Sequence, residues 1–92
     1  MGSNMAVIKK KLWKQYFDLM NSGKKKYEFR LNEFDVKEGD TLILEEWDPE
    51  TKSYTGRTIE NKVAYVSNFT LDDLPWTRKE IEEKGFKLLS LE

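Results

Sequence analysis

The stretch Gly23-Lys24-Lys25-Lys26-Tyr27-Glu28-Phe29-Arg30 concentrates more chemical capability than any other part of the chain. Lys25 offers a mobile ammonium suited to a phosphate, and Arg30 a planar fork of donors for a phosphate or a carbonyl. Between them, Glu28 can accept hydrogen bonds from the amino group of a nucleobase. Gly23 has no Cβ, so its backbone can lie close to a ligand, although a plain helix stop explains it equally well. Left exposed, a Glu28–Arg30 pair contributes about 0–1 kcal/mol and is surface decoration. Gathered in a cleft, the same side chains would form the floor of an anion-accepting site.

Four rings are candidate platforms for a base: Trp13, Trp47, Tyr54 and Trp76. Stacking on such a ring is worth about 1–3 kcal/mol per base and tolerates changes of base. Most rings in a domain this small belong to the core, and Trp47 and Tyr54 lead because they flank the polar stretch Asp48–Ser53. Arg57 on the far side of that stretch, with Lys9 and Lys11 near the start of the chain, could extend a phosphate track. Each of these cations taken singly reads as a solvated surface charge.

The absences narrow the chemistry further. With no Cys and no His among 92 residues, the chain has no disulfide, thiol nucleophile, imidazole base or zinc–thiolate site. Carboxylates and carbonyls alone would hold magnesium or calcium only weakly, so neither a metal nor a cofactor is expected. No apolar run approaches the roughly 20 residues needed to span a membrane, and no signal-peptide core is evident, which makes the cytoplasm the default location. Net charge is −1, but it is unevenly spread. The first thirty residues hold eight basic against two acidic side chains, and the remainder eight against fifteen. A basic first third suits an anion-binding face, while mutual neutralisation across the fold is the simpler alternative.

The elements that must position these residues follow from periodicity. A short strand over about Val7–Lys11 runs into a helix over about Leu12–Asn21. Leu12, Tyr16, Leu19 and Met20 form its apolar stripe, Trp13 and Phe17 widen it, and Gly23 stands just past its end. Tyr27–Leu31 reads as a second strand with Tyr27, Phe29 and Leu31 on one face and Glu28 and Arg30 on the other. Strict alternation puts Lys25 on the wrong face, so a turn or bulge is required immediately after Gly23. A turn at Lys37–Asp40 leads into a third strand, Thr41–Trp47, and the Asp48-Pro49 turn into a fourth, about Arg57–Val66. Thr77-Arg78-Lys79-Glu80 opens a short helix that Gly85 ends, and Phe86–Leu91 reads as a last strand. Ninety-two residues make one domain, residues 5–92, with Met1–Asn4 read as a cloning remnant. Two short helices and about five strands favour an α+β, mainly β, domain built on a small curved or closed antiparallel-rich sheet.

Gly23-x-Lys25-x-x-Glu28-x-Arg30 resembles the G-x-K-x-x-E-x-R signature of ASCH domains, a branch of the PUA-like β-barrel superfamily. Glu46-Trp47-Asp48-Pro49 and Tyr54-Thr55-Gly56-Arg57 further resemble the hairpin of a small ASCH-like family of unassigned function. The resemblance covers about Lys11–Val66. It implies a barrel of five to six mostly antiparallel strands with two short helices, and a cleft between barrel and first helix lined by the motif. It also implies binding of RNA or a nucleotide, for which Gly23, Lys25, Glu28, Arg30, Lys11, Trp47, Tyr54 and Arg57 are the expected contacts. Some ASCH-like proteins are amidohydrolases on acylated cytosine derivatives, with a Lys and a Thr in this motif. Glu28 stands where that Thr would be and cannot supply its hydroxyl, so a binding module is expected ahead of an enzyme. Were the chain an enzyme, Lys25 and Glu28 would serve as an acid–base pair for weak RNA cleavage or nucleoside hydrolysis. A third reading is a protein-interaction adaptor using the acidic remainder of the chain.

Overall fold

The computed structural model describes residues 5–91; the reading of Met1–Asn4 lies outside the described residues. Strand β1 (Val7–Trp13) is followed by helix α1 (Lys14–Asn21), strands β2 (Thr41–Asp48) and β3 (Ser53–Lys62), a single 3₁₀ turn (Leu71–Asp73) and helix α2 (Arg78–Lys84). The sheet order is β1-β2-β3. β1 runs parallel to β2, from Val7 opposite Thr41 to Trp13 opposite Trp47, and β3 returns antiparallel. The domain is therefore α+β, with more strand than helix, built on an open three-stranded sheet.

Parallel neighbours need a long crossover, which α1 and the chain from Ser22 to Asp40 supply. β1 continues two residues beyond the expected end, and α1 begins at Lys14 rather than Leu12. Leu12 consequently packs from the sheet, and the buried apolar core is Leu12, Phe17 and Leu44, with Met20, Leu42 and Ile59 against it. Tyr16 and Leu19, expected on the buried stripe, are exposed. The late helix start accounts for this: α1 spans only eight residues and turns a narrow face, Phe17 and Met20, to the sheet.

Two clasps hold the ends of the sheet. Asp40, buried, accepts the Ala6 N–H at 3.0 Å and the Lys37 N–H at 2.8 Å, while Thr41 N–H donates to the Ala6 carbonyl at 2.9 Å. Those backbone donors, Ala6 foremost, hold the Asp40 carboxyl below its ordinary range. The expected turn at Lys37–Asp40 thus ties the start of β1 to the start of β2.

The second clasp is a bulge. Glu45 pairs with Thr58 and Trp47 with Tyr54, so Glu46 alone faces Thr55, Gly56 and Arg57. Gly56, at φ +96°, absorbs the extra residues. Thr55 and Arg57 both converge on the buried Glu46 carboxylate. Thr55 Oγ1 donates to Oε1 at 2.5 Å, Arg57 Nε to Oε1 at 2.9 Å and Arg57 Nη2 to Oε2 at 2.8 Å. The guanidinium also lies 4.5 Å from the Phe17 ring centroid and reaches Asp18 at 3.2 Å, which pins α1 to the hairpin. Arg57, foremost, and Thr55 lower the Glu46 pKa from its ordinary 4.5 to about 2.

Three expectations are corrected. Tyr27–Leu31 and Phe86–Leu91 do not form strands among the described residues, and β3 covers Ser53–Lys62 instead of Arg57–Val66. Beside β1, a further strand would compete with the Arg30 side chain, which takes the Lys11 carbonyl at 2.6 Å. Glu33 N–H donates to the Leu31 carbonyl at 2.9 Å, a tight turn just past that segment. Phe29, Leu31, Phe86, Leu88, Leu89 and Leu91 are exposed in consequence.

Gly56→Ala should lower the free energy of unfolding by about 1–2 kcal/mol in urea titrations. A built Cβ meets nothing within 4 Å there, so the cost is backbone strain alone. The Glu46 ion pair sets an acid limit with a definite sign. A carboxylate whose folded pKa is depressed contributes fully above its ordinary pKa, and the contribution is lost as pH falls through the folded value. Melting temperatures should therefore decline from about pH 4.5 toward pH 2. Glu46→Gln should reduce the neutral-pH melting temperature by on the order of 10 °C and flatten that decline, leaving the part due to Asp40.

Candidate ligand-binding cleft

Gly23 determines how the motif is delivered. Ser22 caps α1, Gly23 follows at φ +80°, and the chain folds back so that Lys25 N–H donates to the Leu19 carbonyl at 3.0 Å. This is the turn that strand alternation demanded, and it returns the Lys25 ammonium toward the helix, 5.1 Å from the Tyr16 ring and 5.2 Å from that of Tyr27.

Lys25, Glu28 and Arg30 meet. Lys25 Nζ lies 3.8 Å from Glu28 Oε1, and Arg30 Nε donates to Glu28 Oε2 at 2.6 Å. Arg30 Nη2 donates to the Lys11 carbonyl. Their side chains are only 19%, 15% and 26% exposed, so the trio is not a solvated surface pair. It forms the floor of a cleft of about 520 Å³ along the outer edge of β1, whose walls include Lys10, Trp13, Tyr16, Phe29 and Phe34. That volume falls within the range of about 300–1,000 Å³ usual for small-ligand sites.

The donor inventory shows what the cleft offers. Arg30 has five N–H groups, and among the described residues its side-chain hydrogen bonds go to Glu28 and the Lys11 carbonyl. Lys25 carries three N–H bonds, and among the described residues its charge partner is Glu28. Donors of both cations thus remain for a ligand, while Glu28 holds the two in place and keeps the floor from being uniformly positive. Among the lining residues the cations Lys10, Lys11, Lys25 and Arg30 outnumber Glu28 and Glu33.

Other expected contacts fall elsewhere. Lys11 lends its carbonyl to the cleft, but its ammonium lies 3.7 Å over the Trp47 ring. Trp47 and Tyr54 pack edge to face, centroids 5.0 Å apart, and neither lines the cleft. Arg57 is committed to Glu46 and Asp18 and is no part of a phosphate track through the cleft. Sequence reasoning missed Lys10, Tyr16, Phe29 and Phe34 as wall residues: Phe34 carried no motif, Tyr16 read as core, and Phe29 was placed on the face opposite Glu28 and Arg30. It missed the Glu46 network too, although Glu46, Thr55, Gly56 and Arg57 all stand in the hairpin signature.

Fold and cleft together define a small α+β domain with a mixed-charge, ring-walled concavity beside its first strand and helix. The sequence profile of a family described as a domain of unknown function (DUF3850) matches residues 8–74, and the chain belongs to that family. The matched span holds every cleft residue and the β2–β3 hairpin but stops before α2, so the cleft lies within the family's domain. The chain is also 42% identical over 60 residues to a protein of Escherichia phage P2 described as an uncharacterized 12.9 kDa protein in the GpA 3′ region. That match takes in 65% of this chain and 53% of the phage protein, so the chain matches about half of its relative's length.

Arg30→Lys keeps the charge but loses the planar fork that spans Glu28 and the Lys11 carbonyl at once. The Lys24–Lys26 segment should then open more often, and trypsin should cut it roughly 5-fold faster than in the parent under native conditions. Equal cleavage rates would show that Arg30 does not hold this loop.

Proposed function

We propose that the chain is an RNA- or nucleotide-binding module whose site is the Lys25/Glu28/Arg30 cleft. The observation that carries this reading is the half-buried convergence of the three side chains in a ring-walled concavity of about 520 Å³. Spare N–H groups on Lys25 and Arg30 suit a phosphate, and Glu28 lies between them as an acceptor for a base amino group. Aromatic walls beside basic side chains are the composition that single-stranded nucleic acid favours.

The same reading makes the domain a cytoplasmic ASCH domain of the PUA-like superfamily. No helix among the described residues is long and apolar enough to cross a membrane.

Single-stranded RNA should bind with an affinity that falls as salt rises. Lys25→Ala and Arg30→Ala should each weaken binding about 10-fold and reduce the slope of log K against log salt by about 1, measured by fluorescence anisotropy. Folded variants that bind as tightly as the parent would refute the assignment of the cleft. Labelled RNA and N-acylated cytidine that stay intact over hours would rule out the hydrolase reading, and turnover lost in Glu28→Gln would replace binding with catalysis.

A further inference from the structure

We infer that Trp13 is the platform on which the ligand's base stacks, so that the cleft selects a base-bearing phosphate over a bare sugar phosphate. This inference rests on the cleft reading above and specifies its substrate class. It follows from which aromatic faces are already occupied. Lys10 Nζ lies 3.9 Å over the Phe34 ring. Phe29 stacks on Phe69, centroids 6.3 Å apart and planes 11° apart. Lys25 Nζ sits 5.1 Å from Tyr16. Trp13 is the lining ring for which no aromatic or cationic partner occurs among the described residues, and it is 48% exposed.

Its place in the fold suits the role. Trp13 is the last residue of β1 and the N-cap of α1, a position that usually holds a small polar side chain. It makes no capping hydrogen bond there, so its type is not explained by the helix. Leu12 just before it and Phe17 four residues after it are core, and these two fix the backbone that carries the indole. Trp13 lies two residues along β1 from Lys11, whose carbonyl anchors Arg30. Two strand residues span roughly 6.6 Å, a separation a nucleoside monophosphate bridges between base and phosphate. A phosphate on Arg30 and Lys25 thus leaves its base within reach of the indole.

Calorimetric titration of adenosine monophosphate and ribose 5-phosphate into the parent, Trp13→Phe, Trp13→Ala and Arg30→Ala tests this directly. The parent should bind adenosine monophosphate at least about 10-fold more tightly than ribose 5-phosphate. Trp13→Ala should erase that preference by weakening adenosine monophosphate about 10-fold and ribose 5-phosphate much less, Trp13→Phe should retain most of it, and Arg30→Ala should weaken both probes. Should Trp13→Ala misfold, the Trp47→Phe/Trp76→Phe background leaves Trp13 as the sole indole, and its emission should be quenched by adenosine monophosphate. A preference that survives Trp13→Ala, or unchanged emission at saturation, overturns the stacking role while leaving the cleft assignment intact. Failure of both probes and of single-stranded RNA to bind the parent overturns the cleft assignment together with this inference.

Discussion

A carboxylate that cannot stay in water organises this domain. Glu46 is buried on the central strand, and an ionised group there is tolerated only if its oxygens are fully engaged. The engagement comes from β3, where the bulge at Gly56 turns Thr55 onto Oε1 and Arg57 onto both oxygens. Arg57 then spreads the constraint, because its guanidinium covers the buried Phe17 ring and reaches Asp18 on α1. One ion pair thereby locks the hairpin's register and seats the helix against the sheet.

The cleft inherits its geometry from that seating. α1 presents Tyr16 to the cleft, and its C-terminal turn at Gly23 sends Lys25 back beside Tyr16. From there the chain passes the outer edge of β1, where Arg30 uses the Lys11 carbonyl as an anchor and Glu28 as a brace. The site is therefore a side-chain seam between a strand edge and a loop, not a surface of one regular element. Such a seam can present donors to a ligand because neither cation's hydrogen-bonding capacity is used up by the protein.

Local signals were legible in the sequence. The Thr77/Glu80 capping box, the Lys37–Asp40 turn and the Asp48-Pro49 turn depend on a few adjacent residues, and the structure shows each of them. So did the need for a turn after Gly23, because alternation alone could not bring Lys25 to Glu28. What escaped depends on partners distant in the chain. Tyr27–Leu31 has strand periodicity, but the edge it would join is occupied by Arg30, a tertiary competition that no window of sequence contains. Nothing next to Glu46 in the sequence marks it as buried; the bulge that places Thr55 and Arg57 opposite it does. Arg57 looked like a free phosphate contact for the same reason. Trp47 and Tyr54 were expected as platforms for a base, but they pack on each other with Lys11 over Trp47, and neither lines the cleft.

The central claim is that Lys25, Glu28 and Arg30 share one anion-accepting hollow, and amide and guanidinium shift mapping tests it most directly. During titration of adenosine monophosphate into ¹⁵N-labelled protein, the Arg30 Nε–H and the amides from Lys10 to Tyr16 and Lys25 to Leu31 should move together along a single saturable curve. Shifts centred on other basic positions such as Lys62 or Lys87, with Arg30 Nε–H stationary, would contradict the account.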